Sequence, residues 1–218
     1  MRRSTFIFLS VVLLLIFGAS LWVFSGYSLY NSLFDEKMKS VVNVQMGNTT
    51  VEVGSSSVGD PLAFINSTLY HKYSRVTIIL GTGDTKDYCD RTGKCQFRTL
   101  AASSVSCLIG KLLGAYYYET AREMGYNDSF ARRFALEHVS REVSSRWLST
   151  WDKIEIGRGK IGNDKHLLII LRGPLDGAEG NRVYSPRKGV VVIEALDERI
   201  LYEEAILLQG ITGVSCST

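Results

Sequence analysis

Gly81-Thr82-Gly83-Asp84-Thr85 follows a short apolar run and holds the residue types from which phosphate-cradling turns are made. A dinucleotide fingerprint also needs a third glycine and a helix that starts at once. Here the pattern predicts the next helix only near Thr99, about fifteen residues on. Asp84, Asp87 and Asp90 lie in the same stretch and would repel phosphate, so no nucleotide is expected. Their carboxylates suit a hard cation such as calcium, but a spacing of three is not that of the calcium loop, and they read as a solvated acidic segment. His138 follows Glu137 without a second histidine four residues on, so the helical zinc signature is absent. His71 and His166 sit at element ends and read as structural. No G-x-S-x-G elbow occurs. The sequence therefore assigns no catalytic residue, no metal and no cofactor.

The chemistry that remains lies in two long connections, Gly81–Arg98 and Arg172–Lys188. Each leaves the carboxyl end of an apolar strand, where open α/β sheets bind ligands. Long loops in compact domains are usually functional or disordered. Together the two supply Thr82, Asp84, Arg172, Asp176, Glu179 and Asn181, which form the expected binding surface.

Three continuously apolar, β-branched runs must position it: Val76–Leu80, His166–Leu171 and Gly189–Glu194. Such runs are buried on both faces of a sheet. Asp60 before Pro61 caps a helix to about Tyr70 with Leu62, Ile65 and Leu69 inward. A second helix runs from about Thr99 to Glu123 and carries Ala102, Ser106, Gly110 and Gly114 at every fourth position. Lys111 at its centre argues against a membrane span, since a charge there costs ~3 kcal/mol. Gly125 stops it, and Asn127 or Asp128 opens a helix over Ser129–Trp147 with Arg133–Glu137–Arg141 and His138–Glu142–Arg146 ladders. Lys153–Gly157 alternates like a strand. Asp197 caps a last helix, with Leu196 and Leu201 as a staple and Gly210 as its end. Val41–Met46 and Thr49–Val53 flank Gly47-Asn48 as a hairpin. The fold expected is α/β: a mixed sheet with three buried strands flanked by helices, the hairpin at one edge, preceded by one transmembrane helix.

That membrane helix is Thr5–Phe24, about twenty uncharged residues, the length that crosses a ~30 Å hydrocarbon core. Arg2 and Arg3 precede it and predict the N-terminus inside, with the bulk of the chain extracytoplasmic. Trp22, Phe24, Tyr27 and Tyr30 mark the outer interface. Small residues at Gly18-Ala19-Ser20 offer a signal-peptidase alternative, but the apolar run continues past them, which favours a retained anchor over 5–27. Residues 1–4 are then cytoplasmic, 28–40 a short stalk, and 41–218 one extracytoplasmic domain, long enough for a core of its own. Net charge is +3, and +3 − 2 leaves +1 outside the anchor with no basic run, so nucleic acid is excluded as a partner. Cys89, Cys95, Cys107 and Cys216 all lie outside and read as disulfides, with no C-x-x-C for a metal. Cys89 and Cys95 flank a polar, glycine-bearing run that can reverse the chain. Cys107 sits on a helix among small residues, and Cys216 on a tail that needs tethering. The pairs expected are Cys89–Cys95 and Cys107–Cys216. Asn48, Asn66 and Asn127 begin glycosylation sequons.

The stretch LLIILRGP…GN…GVVVIEALDERILYEEAILL, over residues 166–210, resembles the α/β domains of archaeal surface-layer and related cell-envelope proteins, with Val76–Gly83 matching an earlier strand and glycine turn. Those segments carry a doubled glycine before the proline, where this chain has Arg172-Gly173-Pro174. The resemblance implies an envelope role without catalysis and points to no functional residue. The function expected is a membrane-anchored interaction or binding module whose partner is an envelope protein or surface polymer. The alternative is an extracytoplasmic hydrolase in which Asp84, Arg172 and Asp176 converge.

Overall fold

The structure, a computed structural model, describes residues 2–216, with side chains from Phe8 onward. The side chains of Arg2 and Arg3, on which the expected orientation rests, lie outside the described ones. The chain runs α1 (Arg2–Asp35), β1 (Ser40–Met46), β2 (Thr49–Ser55), α2 (Pro61–Tyr70), β3 (Arg75–Thr82), α3 (Gly83–Thr92), α4 (Gln96–Glu123), α5 (Asp128–Glu142), β4 (Val143–Leu148), α6 (Thr150–Gly157), β5 (His166–Arg172), β6 (Arg182–Arg187), β7 (Val190–Glu194) and α7 (Glu198–Thr212).

The seven strands form one mixed sheet in the order β1-β2-β6-β7-β5-β3-β4. β4, β3, β5 and β7 are mutually parallel, β2 is parallel to β6, and the β1–β2 and β6–β7 pairs are antiparallel. Alternation along each central strand splits its side chains between two faces. Ile78, Ile169 and Val191 face one side, where they meet Ile65 of α2, Val105 and Leu108 of α4, and Leu201 and Leu208 of α7. Ile79, Leu168, Ile170 and Val192 face the other, against Ile156 of α6. Because both faces are covered, the central strands need no polar alternation, which is why they read as unbroken apolar runs.

Helix α1 does two things. Its Phe8–Asp35 portion is long and apolar enough to cross a membrane. It stays helical to Asp35 and places Tyr30 and Leu33 in the second core, 7% and 5% exposed. In the segment expected as a short stalk, 28–40, Tyr30 and Leu33 follow Gly26 in a helical stripe that packs on the second face of the sheet. Helix α4 is also long and apolar enough to cross a membrane, but Ala101, Val105, Leu108 and Ile109 are buried within the domain.

Several local expectations are corrected. Gly83–Thr92, read as loop, is helix α3, capped by the Thr82 side chain and closed by Gly93 at φ +66. The helix expected to reach Trp147 stops at Glu142, and Val143–Leu148 becomes edge strand β4, so Arg146 pairs with Asp152 at 2.6 Å instead of extending the helical ladder. Lys153–Gly157 belongs to helix α6, started by a capping box in which Ser149 and Asp152 satisfy each other's backbone N–H. The loop after β5 contains strand β6, whose pairing with β7 becomes irregular between Tyr184 and Arg187, where Pro186 cannot donate. Helix α7 passes through Gly210 and ends at Gly213, at φ +68. Leu196 is 54% exposed, so it makes no buried staple with Leu201.

Candidate functional site

The parallel strands β3, β5 and β7 all end on the same side of the sheet. Because β6 runs antiparallel to β7, its first residue, Arg182, lies opposite Glu194 at that same end. Helix α7 begins there after Asp197, whose carboxylate accepts from Arg199 N at 2.7 Å. The crevice between the ends of β3 and β5 is where an open α/β sheet ordinarily receives a ligand. In this chain the crevice is filled from within.

Arg98, the third residue of α4, projects into it and is 2% exposed. Its Nη1 donates to Leu80 O at 2.7 Å and to Asp176 Oδ2 at 2.6 Å. Nε and Nη2 grip the Glu198 carboxylate in a two-pronged pair at 3.0 and 2.5 Å. Burial disfavours the guanidinium charge, but its hydrogen bonds to Glu198 and Asp176, and their charges, outweigh that and hold its pKa above the ordinary value. Asp176 in turn accepts from Thr82 N at 2.7 Å, Thr85 Oγ1 at 2.6 Å and Gly173 N at 3.0 Å. The carboxylate thus occupies the N-terminus of α3, the place where a bound phosphate would otherwise sit. Gly81 and Gly173 make room: a Cβ on either would run into the Arg98 guanidinium.

A second ionic node adjoins the first. Glu194 is wholly buried. Its Oε1 accepts from Glu179 N at 2.5 Å and Arg182 Nη2 at 2.8 Å, and its Oε2 from Arg172 Nη1 at 3.1 Å and Tyr184 OH at 3.0 Å. Desolvation would raise the Glu194 pKa, yet the Glu179 N–H and the two arginines win and keep it below the ordinary range. Burial, and then Glu194 itself, push the Tyr184 phenol up. Arg172 joins the nodes by donating from Nε to Asp176 O at 3.1 Å, and its guanidinium stacks 4.3 Å over the Phe34 ring of α1. Three guanidinium groups thus meet three carboxylates. Their charges balance, and every carboxylate oxygen of Asp176, Glu194 and Glu198 accepts from a group within the protein, while Arg182 Nε is buried without a partner.

Of the residues expected at the site, Thr82, Arg172 and Asp176 are brought together in this network. Glu179 contributes its backbone N–H while its carboxylate stays exposed, 3.8 Å from Arg182. Asn181 buckles the turn, its Oδ1 accepting from Leu196 N at 3.0 Å. Asp84 is exposed on the first turn of α3 and makes no side-chain hydrogen bond to the others. Sequence reasoning missed Arg98, Glu194, Glu198 and Arg182, the groups that carry most of the network. An arginine amid the apolar positions of α4 and a glutamate closing an apolar strand were the available signals.

Other candidate groups have local tasks. His166 Nε2 lies 2.8 Å from Thr77 Oγ1, and burial, followed by Arg75 and Arg146, lowers its pKa. His71 Nε2 meets Asp164 O at 3.1 Å, and His138 Nδ1 meets Phe134 O at 2.8 Å. Asp90 pairs with Lys86 at 2.7 Å. Among the described residues no cluster of three or more His, Cys, Asp or Glu side chains is arranged to hold a metal ion. Disulfides join Cys89 to Cys95 and Cys107 to Cys216, with Cα separations of 5.3 and 6.3 Å. Asn48 is exposed at the hairpin turn, and Asn127 is exposed with its Oδ1 capping α5 through Phe130 N at 2.9 Å. Asn66 is half-buried on α2.

A cleft of about 550 Å³ lies between the Cys89–Cys95 loop, α4 and edge strand β4. Ala102, Ser103, Ser106, Ser145 and Trp147 line it, and of the network only Arg98 reaches its wall. Comparison with known proteins finds no matching family model, no matching curated protein and no matching solved structure.

Proposed function

We propose that this chain is a membrane-anchored, extracytoplasmic α/β domain that acts as an interaction or binding module of the cell envelope, with its N-terminus inside and its single span retained. The observation that carries this reading is the plugged crevice. At the strand ends, where an α/β enzyme keeps its reacting groups open to substrate, Arg98, Asp176 and Glu198 saturate one another. A general base needs a free lone pair and a nucleophile needs an accessible atom. Both carboxylates of the network that face the crevice are instead committed to Arg98. Two disulfides support an oxidising compartment. The apolar helix continuous with the domain supports anchoring.

A partner of such a module is an envelope polypeptide or surface polymer. The test is extraction of the full chain in mild detergent, with and without prior amine crosslinking of intact cells, followed by native-mass measurement. The reading expects a discrete complex larger than the chain plus its micelle, with the same companion after crosslinking. A strictly monomeric protein under both conditions would overturn it.

A further inference from the structure

Helix α6 and the outer end of α1 meet in an unusual way. The Trp151 ring centroid, in the first turn of α6, lies 5.7 Å from that of Trp22. Arg158, which follows α6 and sits about 10 Å further along a helical path, places its guanidinium 4.0 Å from the same Trp22 ring. A helix whose two ends both reach one residue of its neighbour lies across that neighbour, not along it. The crossing point is built for close approach. A Cβ on Gly26 would come 2.8 Å from Ile154 Cγ2, and a Cβ on Gly157 would run into the Gly26 carbonyl oxygen. Between these two glycines the helix backbones touch, so the crossing is held firmly.

Its level is set by the sequence of α1. Trp22 stands two residues, about 3 Å along the helix, before Phe24, where the strongly apolar run from Thr5 gives way to the polar Ser25-Gly26-Tyr27-Ser28. A helix lying across α1 at that level runs in the plane of the membrane surface. The side chains there have the matching chemistry. Trp151 is 55% exposed although it is a large aromatic on a short helix, and tryptophan is the residue that favours the headgroup zone. Arg158 Nη2 donates to Trp22 O at 2.6 Å and Ser25 Oγ at 2.9 Å, while its Nη1 has no partner among the described residues. Arg158 sets its guanidinium over the Trp22 ring and keeps one end of it free, as long cationic side chains do at an interface. Lys153 Nζ turns toward the domain instead, 5.0 and 5.8 Å from the Tyr27 and Tyr30 ring centroids.

We propose that α6 is a membrane-surface helix. It lies in the headgroup layer of the outer leaflet, with Trp151 inserted among the headgroups and Arg158 Nη1 facing lipid phosphates. This rests on the reading of α1 as a membrane anchor and goes beyond it, because a tethered domain need not touch the bilayer. Here the anchor, the crossing and α6 form one unit that fixes the distance and tilt of the whole sheet above the lipid.

The test uses the full chain in vesicles of phosphatidylcholine and phosphatidylglycerol in equal amounts. With the four native cysteines in disulfides, single nitroxide labels are placed through Thr150→Cys, Leu14→Cys and Glu137→Cys. The ratio of collision with oxygen to collision with an aqueous nickel chelate is then read at each. Leu14 lies in the apolar stretch and Glu137 is exposed on α5. The proposal expects the ratio at Thr150 to exceed that at Glu137 severalfold and to fall below that at Leu14. A ratio at Thr150 equal to that at Glu137, with Leu14 still deep in lipid, overturns the role of α6 and leaves the anchor standing. A ratio at Leu14 as low as at Glu137 overturns the anchor, and the role of α6 with it.

Discussion

Arg98 Nη1 and Asp176 Oδ2 lie 2.6 Å apart although 78 residues separate them in the chain, and both side chains are almost wholly buried. The pair ties the start of α4 to the turn after β5 and fills the crevice that the sheet topology opens. A buried charge is stable only while its partner remains. Arg98→Met would leave Asp176 and Glu198 without their cation, and the expected loss of stability is about 3–5 kcal/mol. Arg98→Lys should rescue little, because an ammonium cannot grip Glu198 with two parallel bonds and reach Leu80 O as well. Chemical denaturation of the detergent-solubilised chain, followed by tryptophan fluorescence, checks both.

Gly173 tests the same plug from the backbone side. Its φ is −96°, a value open to any residue. An alanine there is therefore opposed only by the Arg98 guanidinium and the Glu198 carboxylate, which its Cβ would strike. Gly173→Ala should cost about 1–3 kcal/mol, the range for forcing an added methyl into a packed site. Gly114→Ala is the control: it lies inside α4 with nothing within 4 Å of the added carbon. That change should leave stability unaltered or raise it by about 0.5–1 kcal/mol. Equal losses at the two positions would deny the plug its steric role.

These groups also mark where sequence reading stops. Strands β3, β5 and β7 were legible because burial on both faces leaves a run of Val, Ile and Leu that no other element explains at that length. β6 was not, since Arg182, Pro186 and Arg187 carry the signs of a loop, and only its place between β2 and β7 makes it a strand. The Ile154-Glu155-Ile156 alternation imitates a strand. The decisive signal for α6 was the Ser149–Asp152 capping box, which lies before the alternation begins. At the site, Thr82, Asp176 and Arg172 were found from topology alone, because both loops leave carboxyl ends of neighbouring parallel strands. Arg98 and Glu198 were not, since their juxtaposition depends on how α4 and α7 enter the layer above the sheet. Tyr30 and Leu33 were hidden by their position just past the apolar run of α1, where polar neighbours make the segment look solvated.

The two disulfides should differ in weight. Cys107–Cys216 spans 109 residues, whereas Cys89–Cys95 spans 6. Loop-closure entropy in the unfolded chain assigns the long bridge about 4–5 kcal/mol and the short one about 2 kcal/mol. Replacing Cys107 and Cys216 together by alanine should therefore lower the denaturation midpoint far more than replacing Cys89 and Cys95. Non-reducing peptide mapping checks the connectivity first, and a linked Cys89–Cys107 peptide would sink the argument.

The proposed orientation rests on the positive charge of Arg2 and Arg3 before the apolar helix. Protease added to intact cells should remove epitopes placed after residue 40 and spare one at Met1. Protection of a C-terminal epitope would reverse the topology, and a mature N-terminus at Leu21 would show that the anchor is cleaved.

Glu204 is the least expected residue of α7. It lies on the inner face beside Leu201, Ala205 and Leu208, wholly buried, and neither carboxylate oxygen has a hydrogen-bond partner. Desolvation, with the nearby charge of Glu194 adding to it, pushes its pKa up to about 10, so the folded chain carries it as a neutral acid. Below about pH 4.5 the group is protonated in folded and unfolded chains alike and has no effect on their balance. Above that the unfolded chain releases the proton while the folded chain keeps it. This group therefore lowers stability by about 1.4 kcal/mol for each pH unit until the folded pKa is passed. By pH 7 the accumulated loss is about 3 kcal/mol. Glu204→Met keeps the volume and removes the titration. The variant should be more stable than the parent at about pH 7, with an advantage that grows towards pH 9 and shrinks towards pH 5. Denaturation curves at those three values decide it. A difference that stays constant with pH would mean that Glu204 ionises normally in the fold, and a variant weaker at every pH would mean that the carboxyl has a stabilising partner.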